Sequence, residues 1–437
     1  MGRLILFLWP LSLISFVLDA EWLSLAIASV FAIYAAGSLL NARNSDRLFG
    51  VGMVAASAFL LILDDNLWAF PTVFAQTIVF GAFVASAQML RSVSERDPRV
   101  DRYRSALSLQ SGSARPVWMT VGSGVLGTVM TVGAVAILSP LFAGVENAGQ
   151  RREDAVAALS GTALAVNWSP FFVSIAVVSA FFPHLPLWSL MAVGFVLSGV
   201  GMAIALATLH AAGPVSTAGR AFRALGGFVP IILVAGVSVT VLRNAGDFST
   251  LQASCLALPP LCVILILTGR GAGNALSHLR DVGRVTLDRI LVIGPEVAVV
   301  ALAFMFGLVL RDSVTIDMAV ANLGLDTLPA PLLLALVPLS MMTLGILSVH
   351  PIVSASLLMS LLADKHGAVT DLALAGATLV GWSSAAMISY SGLLLMVTAS
   401  VSAVPRGELI VSRNLLVAPV FAVTSALLLA ALNRTIS

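Results

Sequence analysis

Two polar interruptions stand inside long apolar runs of this chain: Asn167-Trp168-Ser169-Pro170 and Gly381-Trp382-Ser383-Ser384. Pro170 removes an amide donor, and the polar side chains can bond backbone groups or a ligand. A helix that stops at such a place leaves its last carbonyls and the following amides without partners. They then offer cation ligands at one end and an anion site at the other. Ser389, Tyr390, Ser391 and Gly392 extend the same character. Read structurally, the same residue types let helices pack closely while a tryptophan fills a groove.

Four further residues pair up: Thr131 with Gly133, and Thr343 with Gly345, while Ser139 and His350 precede Pro140 and Pro351. Hydroxyls and carbonyls arranged this way suit Na⁺ or an oxyanion without a permanent charge in lipid. Read structurally, each threonine back-bonds to its own helix. His350 and Glu296 are the ionisable residues most clearly inside apolar runs, where a charge is costly enough to be a functional candidate. His350 could bind an anion or carry a coupling proton; Glu296 is read either as a coupling residue or as an interfacial one that reaches outward. Asp64 and Asp65 are read as a solvated loop, and Lys365 is given no role.

The elements that position these residues follow from composition. Hydrophobic residues make up 59% of the 437, mean hydropathy is +1.02 and 10% are charged, so the surface must face lipid. Repeated apolar runs of about 18 to 25 residues are long enough to cross as helices. They lack the period-2 alternation of barrel strands. The run 4–17 after Arg3 is taken as a first span rather than a cleaved leader. Cys255 and Cys262 lie in an apolar run as small hydrophobes, and the histidines form no ligand motif. No cofactor or metal is expected beyond Na⁺ as a coupling ion. A net charge of +2, with the basic residues in short loops beside spans, gives no nucleic-acid footprint.

Arginine placement orients the chain, because basic ends stay in the cytoplasm. Arg3, Arg43, Arg47 and the loop from Arg91 to Arg115 are predicted inside, and Asp19, Glu21, Asp64 and Asp65 outside. If 117–145 crossed, Arg151, Arg152, Arg220 and Arg223 would all lie outside. A re-entrant hairpin removes the conflict, with Gly122, Gly124, Gly127, Gly133 and Pro140 as its breaks. In the second half, Arg270, Arg280, Arg284 and Arg289 are inside, Asp312, Asp317 and Asp326 outside. A hairpin over 328–362 then places Asp364 and Asp371 outside and Arg406 and Arg413 inside. The expected fold is an all-α polytopic protein of about eleven transmembrane helices plus two re-entrant hairpins in two inverted repeats. The repeats span 1–220 (scaffold helices 1–115, hairpin and broken helix 116–212) and 221–437 (scaffold 221–312, hairpin and broken helix 328–437). The expected location is the bacterial inner membrane, with the N-terminus cytoplasmic and the C-terminus outside.

An internal match supports the halves. Thr131 of Met130-Thr131-Val132-Gly133 and Thr343 of Met342-Thr343-Leu344-Gly345 are 212 residues apart, and Trp168 and Trp382 are 214 apart. Inverted halves with a hairpin and a broken helix each resemble the ion transporter superfamily, notably the divalent anion/sodium symporters. That family carries a Ser-Asn-Thr triplet at each hairpin tip, where Met130-Thr131 and Met342-Thr343 stand here. The resemblance implies an elevator mechanism, in which hairpins and broken helices carry the solute against a fixed, often dimeric, scaffold. The expected function is ion-coupled transport, by Na⁺ or H⁺, of a small anionic or polar solute, with lipid and a second copy as the other partners. An intramembrane enzyme would need paired acids, a Ser/His dyad or a metal cluster, of which His350 beside a serine is the one candidate. A non-transporting subunit of a larger complex would need neither broken helices nor a repeat.

Overall fold

The computed structural model describes residues 3–209, 214–246, 248–269, 275–321, 328–363, 369–390 and 392–436. Regular structure among them is entirely helical. Among the described residues, nine helical stretches are long and apolar enough to cross a membrane, three shorter apolar helices join them, and the protein is an all-α polytopic membrane protein. Arg270, Asp326, Asp364, Lys365 and Ser391 lie outside the described residues.

The chain forms two compact units. The first comprises Met1–Val93, Val237–Leu325 and Met359–Leu361. Its central helix, Gly294–Arg311, opens with Pro295 in the first turn, where a missing amide costs nothing. Val297, Ala301, Met305 and Leu308 recur at helical spacing and are buried, and the helix packs on Glu21–Leu40 and Asn44–Leu63. The Phe80 and Phe304 rings meet at 4.5 Å. Glu296 is exposed in the first turn of this helix, a position where a carboxylate complements the positive end of the helix dipole. Cys255 and Cys262 are buried free thiols.

Asp64 is not merely a solvated loop residue. Its carboxylate accepts hydrogen bonds from the Thr315 amide (2.9 Å) and hydroxyl (2.6 Å), capping the Val314–Ala321 helix from 251 residues away. Burial raises its pKa, but hydrogen bonds from Ser313 and Thr315 outweigh this and leave it below the ordinary 3.8. A depressed folded pKa means that the stabilisation is complete above pH 3.8 and is lost as pH falls through the lowered value. Asp64→Ala is expected to cost about 1 kcal/mol at neutral pH. The thermal unfolding curves of variant and parent should converge in acid; a constant gap at all pH values would rule out the capping role.

The second unit comprises Ser94–Gly236, Asp326–Leu358 and Leu362–Ser437. One succession of helices occurs in it twice. A 17-residue helix (Ala114–Met130, Ala330–Ile346) leads to a turn, then to short helical pieces (Gly133–Ile137 and Ser139–Ala143; Pro351–Leu362). Next come an 18-residue helix (Ala148–Ala165, Asp371–Ile388), a break, a shorter helix (Val173–Phe181, Leu393–Ser402) and a long one (Leu187–Ala207, Asn414–Ile436). In the first series the chain doubles back: Arg115, at the start, donates from Nη2 to the Leu141 carbonyl at 2.8 Å and pairs with Asp154 at 2.5 Å.

The glycines expected to break the first hairpin do something else. Gly122, Gly124 and Gly127 lie within the unbroken Ala114–Met130 helix. A Cβ at Gly122 would fall 1.9 Å from the Tyr103 hydroxyl, and one at Gly127 would fall 3.1 Å from Ala165 Cβ. Small residues there permit close helix approach, and the main chain stays helical because its own ladder remains intact. The Ala114–Met130 and Ala148–Ala165 helices cross so tightly that a Cβ on Gly161 would lie 2.0 Å from the Thr120 carbonyl oxygen.

Candidate functional site

The first break runs from Val166 to Phe172, between Ala148–Ala165 and Val173–Phe181, where Asn167-Trp168-Ser169-Pro170 predicts it. Its exposed peptide groups are capped from within. Ser198 Oγ donates to the Leu164 carbonyl at 2.7 Å and Ser174 Oγ to Val166 at 2.8 Å, while the break's own Ser169 Oγ donates to the Thr128 carbonyl of Ala114–Met130 at 2.6 Å. Asn167 is fully buried, and its Nδ2 donates to the Leu164 carbonyl and to Ser198 Oγ, both at 3.3 Å. The Leu164 carbonyl can only accept, which assigns the amide's orientation and leaves Asn167 Oδ1 a buried acceptor with no donor. Trp168 is half-buried and meets Phe195 edge-on at 5.1 Å.

The first turn is strained. Thr131 caps the Ala114–Met130 helix at φ 50°, ψ −132°, a conformation that disfavours a β-branched residue. Gly133 follows, buried, as the first residue of the next short helix. The Ser169–Thr128 bond brings the break within three residues of this turn.

In the second series the sequence reading needs two corrections. Trp382, Ser383 and Ser384 are buried inside the unbroken Asp371–Ile388 helix, with Ser383 Oγ bonding its own helix at Val380 (3.4 Å). No proline stands there, so nothing removes a helical hydrogen bond. The break begins instead at Ser389, in extended conformation, and ends at Gly392. Thr343 and Gly345 are likewise in the last turn of Ala330–Ile346, and Thr343 Oγ1 back-bonds to Leu339 at 2.9 Å. The turn is at Leu347–His350, and its positive-φ residue is Ser348 (φ 67°), 217 residues after Thr131. The Met-Thr and Trp-Ser matches are therefore out of register with the elements.

Gly345 lies beside the second break. A Cβ there would lie 3.2 Å from Ala385 Cβ and 3.5 Å from Ser389 Cβ, so the second turn abuts the second break. His350 Nδ1 accepts from the Ile352 amide at 3.3 Å, capping the Pro351–Leu362 helix. Ser384 Oγ is buried without a hydrogen-bond partner. The two series interleave: Leu393–Ser402 packs on both short helices after Thr131 and on Ala148–Ala165, which also touches Asp371–Ile388. Glu296 belongs to the other unit. Among the described residues no group of His, Cys, Asp or Glu could hold a metal ion.

Sequence reasoning missed Ser174, Ser198, Ser348 and Gly194. A Cβ on Gly194 would fall 1.9 Å from the Asn167 carbonyl oxygen. Gly194, Ser198, Gly201 and Ala205 form a small-residue stripe on one helix, and that spacing was a readable signal of close approach.

No family model and no curated protein matches the chain. Among solved structures, the chain is similar to the Alcanivorax borkumensis YdaH transporter. The likeness has 16% identity and a TM-score of 0.44, across 88% of this chain and 97% of that one.

Proposed function

We propose that the protein is a secondary transporter for a small anionic or polar solute, coupled to Na⁺ or H⁺. The observation that carries this is the pair of interrupted 18-residue helices in one unit, each break abutting a turn that holds a hydroxyl residue at positive φ. Interrupted backbone at membrane depth survives only where protein or a cavity satisfies it, and it is typical of solute sites. In this reading the two turns are the tips of re-entrant hairpins. The unit holding both breaks is the moving carrier of an elevator, and Asn167 Oδ1 is a ligand for a hard coupling cation. The test is solute flux into proteoliposomes with and without a Na⁺ or pH gradient, using carboxylates and small polar solutes. Catalytic turnover without flux would instead favour an enzyme.

Thr131→Gly and Ser348→Gly separate structure from function. Glycine adopts positive φ at no cost, so each substitution is expected to stabilise the protein by about 1 kcal/mol. Because the hydroxyl is lost, uptake should fall at least about tenfold, the range of a lost site hydrogen bond. Uptake that rises with stability would remove both hydroxyls from the site.

A further inference from the structure

The helices Ala114–Met130, Ala148–Ala165, Leu187–Ala207 and Pro214–Leu225 line a half-open cavity of about 370 Å³ within the second unit. Val125, Leu164, Trp168, Met202 and Phe222 line it, and Gly199 and Gly219 leave its walls open. Its one polar side chain is Ser198, whose hydroxyl is already committed to the Leu164 carbonyl. Water would find no partners there, whereas an apolar chain would replace lost dispersion contacts.

The rim has the opposite character. Gly219 and Phe222 line the cavity, and each is followed by an exposed arginine, Arg220 and Arg223. Arg223 Nε donates to the carbonyl of Gly219, a lining residue, at 3.3 Å, and Arg220 Nη2 donates to Thr217 Oγ1 at 3.1 Å, so both guanidinium groups are held along this helix next to the cavity. The Pro214–Leu225 helix contains no acidic residue, and Val215 (82% exposed) and Phe222 (49%) share its surface with the two arginines. Apolar and cationic residues side by side on a short helix suit the membrane interface and anionic headgroups.

We propose that the cavity holds one acyl chain of an anionic phospholipid whose phosphate sits on Arg220 and Arg223. The chain lies against Trp168 and Ala165, so the lipid supports the helix at the point where it breaks. The site does not depend on the transport reading, because its readout is lipid retention and not flux.

Native mass spectrometry of the detergent-purified protein, titrated with phosphatidylglycerol and phosphatidylcholine of matched chains, tests this. The parent should retain one phosphatidylglycerol with at least about tenfold preference, and Arg220→Ala/Arg223→Ala should abolish that preference. Gly199→Leu should displace the lipid with the melting temperature preserved, because nothing lies within 4 Å of a Cβ at that position. If that variant does not fold, Gly219→Leu, also free of contacts within 4 Å, replaces it. Equal retention of both lipids, or undiminished retention when the cavity is filled, overturns the proposal. So would a lipid-free dimer that the filling variant dissociates, which would identify a second copy as the occupant.

Discussion

Asp154→Ala is expected to destabilise the protein by about 3–5 kcal/mol, the cost of stranding one partner of a buried ion pair. Asp154 is fully buried, and the Arg115 side chain is 12% exposed. Gln150 Nε2 adds a 2.9 Å hydrogen bond to the same carboxylate. Arg115 also holds the Leu141 carbonyl, so one guanidinium ties together the first arm, the returning arm and the start of the following helix. Removing the carboxylate leaves that cation desolvated and loosens all three. A double variant, Arg115→Met with Asp154→Leu, should recover most of the loss, since an apolar pair of similar volume has no charge to strand. Arg152 and Glu408, 41% and 55% exposed at 3.7 Å, provide the contrast. Removing the Glu408 carboxylate should cost under about 1 kcal/mol, since Arg152 keeps its bonds to the Glu408 and Val411 carbonyls. Equilibrium unfolding in mixed micelles measures all of these, and an Asp154→Ala loss as small as that of the exposed pair would refute the account.

Gly194→Ala is expected to abolish most uptake while the protein still inserts. Its Cβ would lie 1.9 Å from the Asn167 carbonyl oxygen and 2.7 Å from the carbonyl carbon. Both are backbone atoms, so either the Leu187–Ala207 helix moves outward or the broken segment does. Outward movement of the helix would withdraw Ser198 from the Leu164 carbonyl and from Asn167, leaving those two groups only their long 3.3 Å bond to each other. Overpacking of this kind costs about 1–3 kcal/mol, and a misplaced site can lose about a hundredfold in rate. Gly52→Ala, with nothing within 4 Å of its Cβ and in the other unit, should leave uptake unaltered. Normal initial rates of solute uptake by vesicles carrying Gly194→Ala would show that the break is not part of the site.

Arg413 shows how far charge at the ends of the spans depends on neighbours. Burial lowers its guanidinium to about 10, with Glu153 and Asp154 opposing, so it stays charged at neutral pH. As a basic mark in the sequence it indicated only a membrane side.

Composition determined the class of protein, because transfer of apolar surface depends on residue type alone. The first break was equally legible: Pro170 removes an amide wherever it is placed. The second break has no such residue. Gly381-Trp382-Ser383-Ser384 could have ended a helix, yet the ladder continues through it and stops at Ser389, which lies beside Gly345 of Ala330–Ile346. The turn hydroxyl is Ser348 rather than Thr343, because Thr343 stays within its helix. Helix-breaking by a missing donor is local and can be read from one position. A carbonyl capped from another helix by Ser198 exists only once the elements are packed.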